Sequence, residues 1–215
     1  DSNVSHNWAY NNGGGGIFME NLDSKLTVAG GRIFNNTQSG ASGYGGGIHC
    51  KSVCILNNTK IESNIGTNGG GIASDGDLTI ANDTKLLQNF ARGWGGGIYL
   101  GASSVTNITN VHFTENQAMM KGGGIHISHS SDGGSTKLYI SRSVFERNNV
   151  IHSCCDHGGG GLSIYHGPAV FIHESSFMDN HANSNQGNHI LTFKERVASD
   201  FICSNGGGPQ LCSGD

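Results

Sequence analysis

Six side chains that recur at related points of a repeated pattern carry most of the chain's chemistry: His49, Lys51, Asp75, Tyr99, His126 and Tyr165. Read in strand alternation, they fall into two outward columns. One is Phe18, His49, Ala73, Tyr99, His126 and Ser163; the other is Glu20, Lys51, Asp75, Gly101, Ser128 and Tyr165. Flat aromatic faces beside hydrogen-bonding groups suit a sugar chain. General acid/base work would need a positioned pair with tuned pKa values, and here Asp75 beside Lys51 is the nearest approach to one. A plain solvated sheet face with β-favouring residues is the third reading of the same strip.

The densest run of metal-ligating types is His152-Ser153-Cys154-Cys155-Asp156-His157. Adjacent cysteines do not match the spacing of zinc ligands, so a disulfide-stapled loop is expected and no metal. With Cys50, Cys54, Cys203 and Cys212 the cysteine count is 6, an even number that permits full pairing without choosing the partners. Five Asn-x-Ser/Thr sequons begin at Asn3, Asn35, Asn57, Asn82 and Asn107. Together with the cysteines they point to an oxidising, extracellular or cell-surface setting. Asn57, Asn82 and Asn107 are evenly spaced, and Thr59, Thr84 and Thr109 follow them, so the three are expected at one corner of successive coils. Glycans about 4.8 Å apart would collide there. The expected glycosylation candidates are therefore Asn3, Asn35, Asn57 and Asn107, with Asn82 bare.

What must position these groups is a sentence repeated along the chain. Lys85-Leu86-Leu87-Gln88-Asn89 leads through a polar corner to Gly95-Gly96-Gly97-Ile98, and Phe113 to Asn116 leads to Gly122-Gly123-Gly124-Ile125. The asparagines fall at Asn7, Asn36, Asn64, Asn89, Asn116, Asn148, Asn180 and Asn205, with gaps of 29, 28, 25, 27, 32, 32 and 25 residues. The first strand residue after the glycines runs Ile17, Ile48, Ile72, Ile98, Ile125, Leu162 and, without the glycines, Ile190, an independent marker of the same period. Such self-similarity marks a stacked-repeat architecture.

Within a period the apolar residues alternate at period two, and no window has a helical period of any length. A second strand reads Leu26-Thr27-Val28, Val53-Cys54-Ile55, Leu78-Thr79-Ile80, Leu138-Tyr139-Ile140 and Val170-Phe171-Ile172, and a third carries the apolar-x-x-Asn element. The prediction is an all-β, single-stranded parallel β-helix of about seven coils, each with three short strands. Glycines allow corner dihedrals and close packing between coils. The asparagines Asn7, Asn36, Asn64, Asn89, Asn116, Asn148 and Asn180 are expected to form a stacked amide ladder.

Residues 1–215 are expected to form one domain, with 193–215 an irregular last coil or cap. Longer periods place insertion loops at 128–136 and 149–157. The chain starts and stops partway through the repeated sentence, so further coils or caps are expected beyond it. Charged residues are only 13% and the formal net charge is -4. That balance offers no clustered cationic face for nucleic acid, and no apolar run reaches the length of a membrane span.

The Gly-Gly-Gly-Ile and Phe-x-x-Asn elements (Phe113-Thr114-Glu115-Asn116, Phe145-Glu146-Arg147-Asn148, Phe177-Met178-Asp179-Asn180) resemble the passenger repeats of polymorphic outer-membrane proteins of chlamydial type. More broadly they resemble right-handed β-helices of the pectin-lyase-like class. The resemblance covers nearly the whole chain. It implies right-handed coiling and a surface-exposed adhesive or structural role, although sequons and the lack of a C-terminal barrel depart from the bacterial pattern. Enzymes of that class act on acidic polysaccharides through carboxylate-bound calcium or clustered aspartates. The expected function is a non-enzymatic extracellular structural or adhesive segment without cofactor, its partners neighbouring coils, copies of itself or glycans. The alternatives are a carbohydrate-binding module and a polysaccharide lyase or epimerase.

Overall fold

In the computed structural model, the described residues are 2–10, 13–41, 43–101, 104–128, 136–152, 158–165, 169–183, 187–193, 197–204 and 209–210, with backbone alone beyond 190. These residues contain no helix long and apolar enough to cross a membrane. They wind into a parallel β-solenoid of about six turns. Alternation dictates the local structure: in Leu78–Ala81 the isoleucine and leucine are sealed inside while Thr79 and Ala81 face outward.

Three sheets run the length of the solenoid. The glycine-led strands Ile17–Met19, Ile48–Cys50, Ile72–Ser74, Ile98–Leu100, Ile125–Ile127, Leu162–Tyr165 and Ile190–Phe193 stack in register as one. Second strands such as Lys25–Ala29 and Val105–Thr109 share a 14-stranded sheet with third strands such as Lys60–Glu62 and Val111–Thr114, because Ala169–Met178 runs through both positions. Two-residue strands after each ladder asparagine, from Trp8–Ala9 to His181–Ala182, make the third sheet and add a fourth short segment to the coil.

No coil closes its own core. Ile48, Ile72, Ile98 and Ile125 are fully buried in one column, and Phe113, Phe145 and Phe177 stack with ring centroids 4.4 Å apart. The glycines between turn and strand allow this packing. A Cβ on Gly96 would lie 2.4 Å from the carbonyl oxygen of Gly123 on the next coil, and Gly95 holds a φ of 68°.

The amide column runs unbroken from Asn7 to Asn180. Nδ2 of Asn64 donates to Oδ1 of Asn89 at 3.0 Å, Asn89 to Asn116 at 3.0 Å and Asn116 to Asn148 at 2.9 Å. Asn7, Asn36 and Asn148 continue the pattern at either side. Each backbone N–H donates to the same oxygen, as from Asn64 to Asn89 at 3.1 Å. The second Nδ2 proton goes to the carbonyl of the apolar residue three before the preceding asparagine, as from Asn89 to Ile61 at 2.9 Å. Two donors and a doubly used acceptor leave the buried amide fully satisfied, the condition for burying it.

Three expectations are corrected. The second insertion is shorter than 149–157: Asn149–Val150 is a strand paired with Gln117–Ala118 and His181–Ala182, because Val150 fills the interior. Of the three spaced sequons, Asn57 and Asn82 meet at one corner, but Asn107 does not join them. Asn57 registers with Ala81, whereas Asn107 registers with Thr79. Val111, not Thr109, lies opposite Thr84. Asn107 stands nine residues before its ladder asparagine while Asn57 and Asn82 stand seven before theirs, and the extra length displaces it. The strip side chains His49 and His126 are not on the surface, as detailed below.

A disulfide joins Cys50 to Cys54 across the corner between the first two strands of their coil. Cys154, Cys155 and Cys212, with Asn205 and residues 129–135 of the first expected insertion, lie outside the described residues; Cys203 is in Val197–Ser204, which stacks parallel on Ala169–Met178. Pro209–Gln210 then turns back antiparallel.

Thr106 is a polar misfit in the core. It sits between Leu78 and Leu138, fully buried, with no partner for Oγ1. Thr106→Val keeps the shape and removes the stranded hydroxyl, so it should stabilise by about 1 kcal/mol in urea unfolding, with an unchanged m-value.

Candidate functional site

The outer side of the glycine-led sheet carries the predicted strip, but a second layer covers it. The residue immediately before each glycine triplet (Tyr44, Asn68, Trp94, Lys121) forms its own column, with bridges Tyr44 to Asn68 and Trp94 to Lys121. Its rings fold over the strip. Tyr44 lies 5.3 Å from His49 and 5.7 Å from Tyr99, reaching across Ala73, whose methyl leaves room. Trp94 stacks on Tyr99 at 6.3 Å and packs against His126 at 5.7 Å. His49, Tyr99 and His126 are therefore 1%, 7% and 4% exposed.

The six strip residues divide between two places. At one end His49 Nε2 lies 3.3 Å from Asp75 Oδ2, and Lys51 reaches over the ring of Phe18 and toward Glu20. At the other end a cleft of about 290 Å³ is lined by Trp94, Met120, Lys121, His126, Ser128 and Tyr165, with Tyr99 stacked on the His126 ring at 5.9 Å. The Lys121 ammonium stands 4.7 Å above the Tyr165 ring. His126 lines the cleft with an Nδ1 that has no hydrogen-bond partner, and the hydroxyl of Ser163, next in the column, has none either.

Trp94, Met120 and Lys121 were missed from sequence as site residues, whereas Ser128 was read in the outward column but not singled out. For Trp94 and Lys121 the signal was available in the position before the glycines, which also holds Tyr44.

Burial sets the protonation states at the cleft end. Burial, reinforced by the Lys121 charge, holds His126 down at about 3, so its imidazole is neutral at physiological pH. Burial pushes the Tyr99 phenol up, against a hydrogen bond with Ser128 that pulls it down. A neutral imidazole and a protonated phenol are hydrogen-bonding groups suited to binding.

The His126 shift has a consequence for stability. The unfolded chain binds a proton at this residue near pH 6.5, whereas the folded chain does not until about pH 3. The stability is present above pH 6.5 and is lost as pH falls through that window, at up to about 1.4 kcal/mol per unit. Urea unfolding at pH 7.5 and 4.5 should differ by about 2.5 kcal/mol from this residue. His126→Gln should flatten the difference by that amount.

A larger open depression of about 430 Å³ lies on the third-strand face beside Arg32, Lys60 and Lys85, stacked in one column. Arg32 and Lys60 both pair with Glu62, and Lys85 with Asp83 at 3.4 Å, so this column is largely neutralised by its own neighbours. Burial and the flanking Arg32 and Lys85 lower the Lys60 pKa.

No family model, curated protein or solved structure matches this chain.

Proposed function

We propose that this chain is a non-enzymatic structural and adhesive segment of an extracellular or cell-surface assembly. The observation that carries the reading is the unbroken amide column from Asn7 to Asn180, which devotes the repeat's invariant polar group to holding coil on coil. A rod built this way presents long flat faces whose side chains vary while the interior does not. The Cys50–Cys54 disulfide suits an oxidising compartment. The likeness of the Gly-Gly-Gly-Ile and Phe-x-x-Asn elements to passenger repeats of polymorphic outer-membrane proteins points the same way. Partners on this reading are copies of the chain or glycans.

Inert beads carrying the folded chain test it. They should cluster with one another or attach to glycan-coated surfaces, and beads carrying an unfolded chain should do neither. Release of unsaturated uronates from polyuronates by the soluble chain would replace this reading with a lyase.

A second reading, sugar binding, is favoured by the cleft at Trp94 and Tyr165, where aromatic faces adjoin an unpartnered imidazole nitrogen. On a glycan array, Trp94→Ala should abolish any retained sugar while leaving bead clustering unchanged.

A further inference from the structure

The outer face of the second-strand sheet bears an aromatic pair that the solenoid does not cover. Tyr139 and Phe171 are 39% and 42% exposed, and their rings stack 4.9 Å apart with planes 7° from parallel. They belong to one column of outward residues, Asn107, Tyr139 and Phe171, set by the register of three adjacent strands. Asn107 is exposed in mid-strand between the inward Thr106 and Ile108, and it opens the sequon Asn107-Ile108-Thr109.

We propose that Asn107 carries an N-linked glycan whose first sugars lie over Tyr139 and Phe171. The attachment atom is one strand spacing, about 4.8 Å, from the column position of Tyr139, and Phe171 is one spacing further. A pyranose spans roughly one such spacing, so its apolar C–H face meets Tyr139 and the next ring meets Phe171. On the other side Asn107 registers with Thr79, which offers no ring. The glycan is thus the occupant of the exposed aromatic face.

The other sequons lack this arrangement. Asn82 Nδ2 donates to Asn57 Oδ1 at 3.3 Å, so glycans on both would crowd one corner, and Asn35 Nδ2 lies 3.4 Å from a His6 ring nitrogen. The covalent step is displacement at the anomeric carbon of a polyprenyl-diphosphate-linked oligosaccharide. Asn107 Nδ2 forms the new C–N bond and gives up one proton, and the lipid diphosphate leaves with the electrons of the broken C–O bond. It takes place on the chain before folding, when the Thr109 hydroxyl is not yet held 3.0 Å from that of Ser141.

The inference rests on the extracellular reading, and the two fail separately. The full chain is secreted from a eukaryotic host, where the transferase meets it whatever its native destination. Glycopeptide mass spectrometry should find Asn107 occupied. Asn107→Gln should lower the melting temperature by about 3 °C. In a Tyr139→Ser, Phe171→Ser background the glycan should still be attached, but Asn107→Gln should then change the melting temperature by less than about 1 °C. An unmodified Asn107, no melting loss in the native background, or an equal loss in both backgrounds overturns the proposal. Reduced Cys50 and Cys54 in the native protein would instead overturn the extracellular reading alone.

Discussion

Asn89→Ala should unfold on the order of 10 °C below the parent chain, a loss of roughly 4 kcal/mol. Asn89 is fully buried at mid-column, and its Oδ1 accepts from both the backbone N–H and Nδ2 of Asn64. Truncation strands both of those donors and also removes the donation to Ile61 and to Asn116. A stranded buried donor costs about 1–3 kcal/mol, far more than the net worth of a hydrogen bond between exposed groups. Position along the column decides the size of the effect. Asn7 is exposed and donates only toward Asn36, so Asn7→Ala should cost less than about 1 kcal/mol. Thermal melts of the two variants beside the parent separate a buried column from scattered surface amides.

Phe145→Ala should cost about 4 kcal/mol, the range for deleting a buried phenylalanine. Its ring is sandwiched between Phe113 and Phe177, with planes 4° and 5° from parallel and no solvent exposure. Truncation removes two stacking contacts at once, each worth about 0.5–1.5 kcal/mol beyond burial. The coils on either side are fixed by backbone ladders, so the void cannot collapse. Phe145→Leu, which keeps most of the volume, should lose under about 1.5 kcal/mol in the same urea titration.

The architecture was legible because its determinants are local and repeated. Two markers, the asparagine and the first strand residue after the glycines, keep the same period, and only stacking in register explains both. Corner geometry was much less legible. The residue before each ladder asparagine takes a left-handed backbone even where it is Gln88, Glu115 or Arg147, with φ between 52° and 57°. Composition would assign that conformation to glycine, or to Asn and Asp, rather than to these side chains. Here the amide column fixes the next residue and imposes the dihedral.

The strip was read in the right alternation, but His49, Tyr99 and His126 were assigned to the wrong environment. Period-two logic separates inside from outside within one strand. It carries no information about a ring such as Tyr44 or Trp94 folding back over the outer face. The sequon column failed for a related reason: equal sequence spacing was taken for equal position, while the coil before Asn116 carries two extra residues between its first and second strands.

The central claim is that each period lays its corner asparagine directly over the one before. Through-hydrogen-bond scalar couplings test it most directly, from the backbone 15N of Asn64 to the side-chain 13Cγ of Asn89, and from Asn89 to Asn116. A resolved coupling is expected for each pair, on amides strongly protected from exchange. Absent couplings, with those amides exchanging as freely as an unfolded chain, would contradict it.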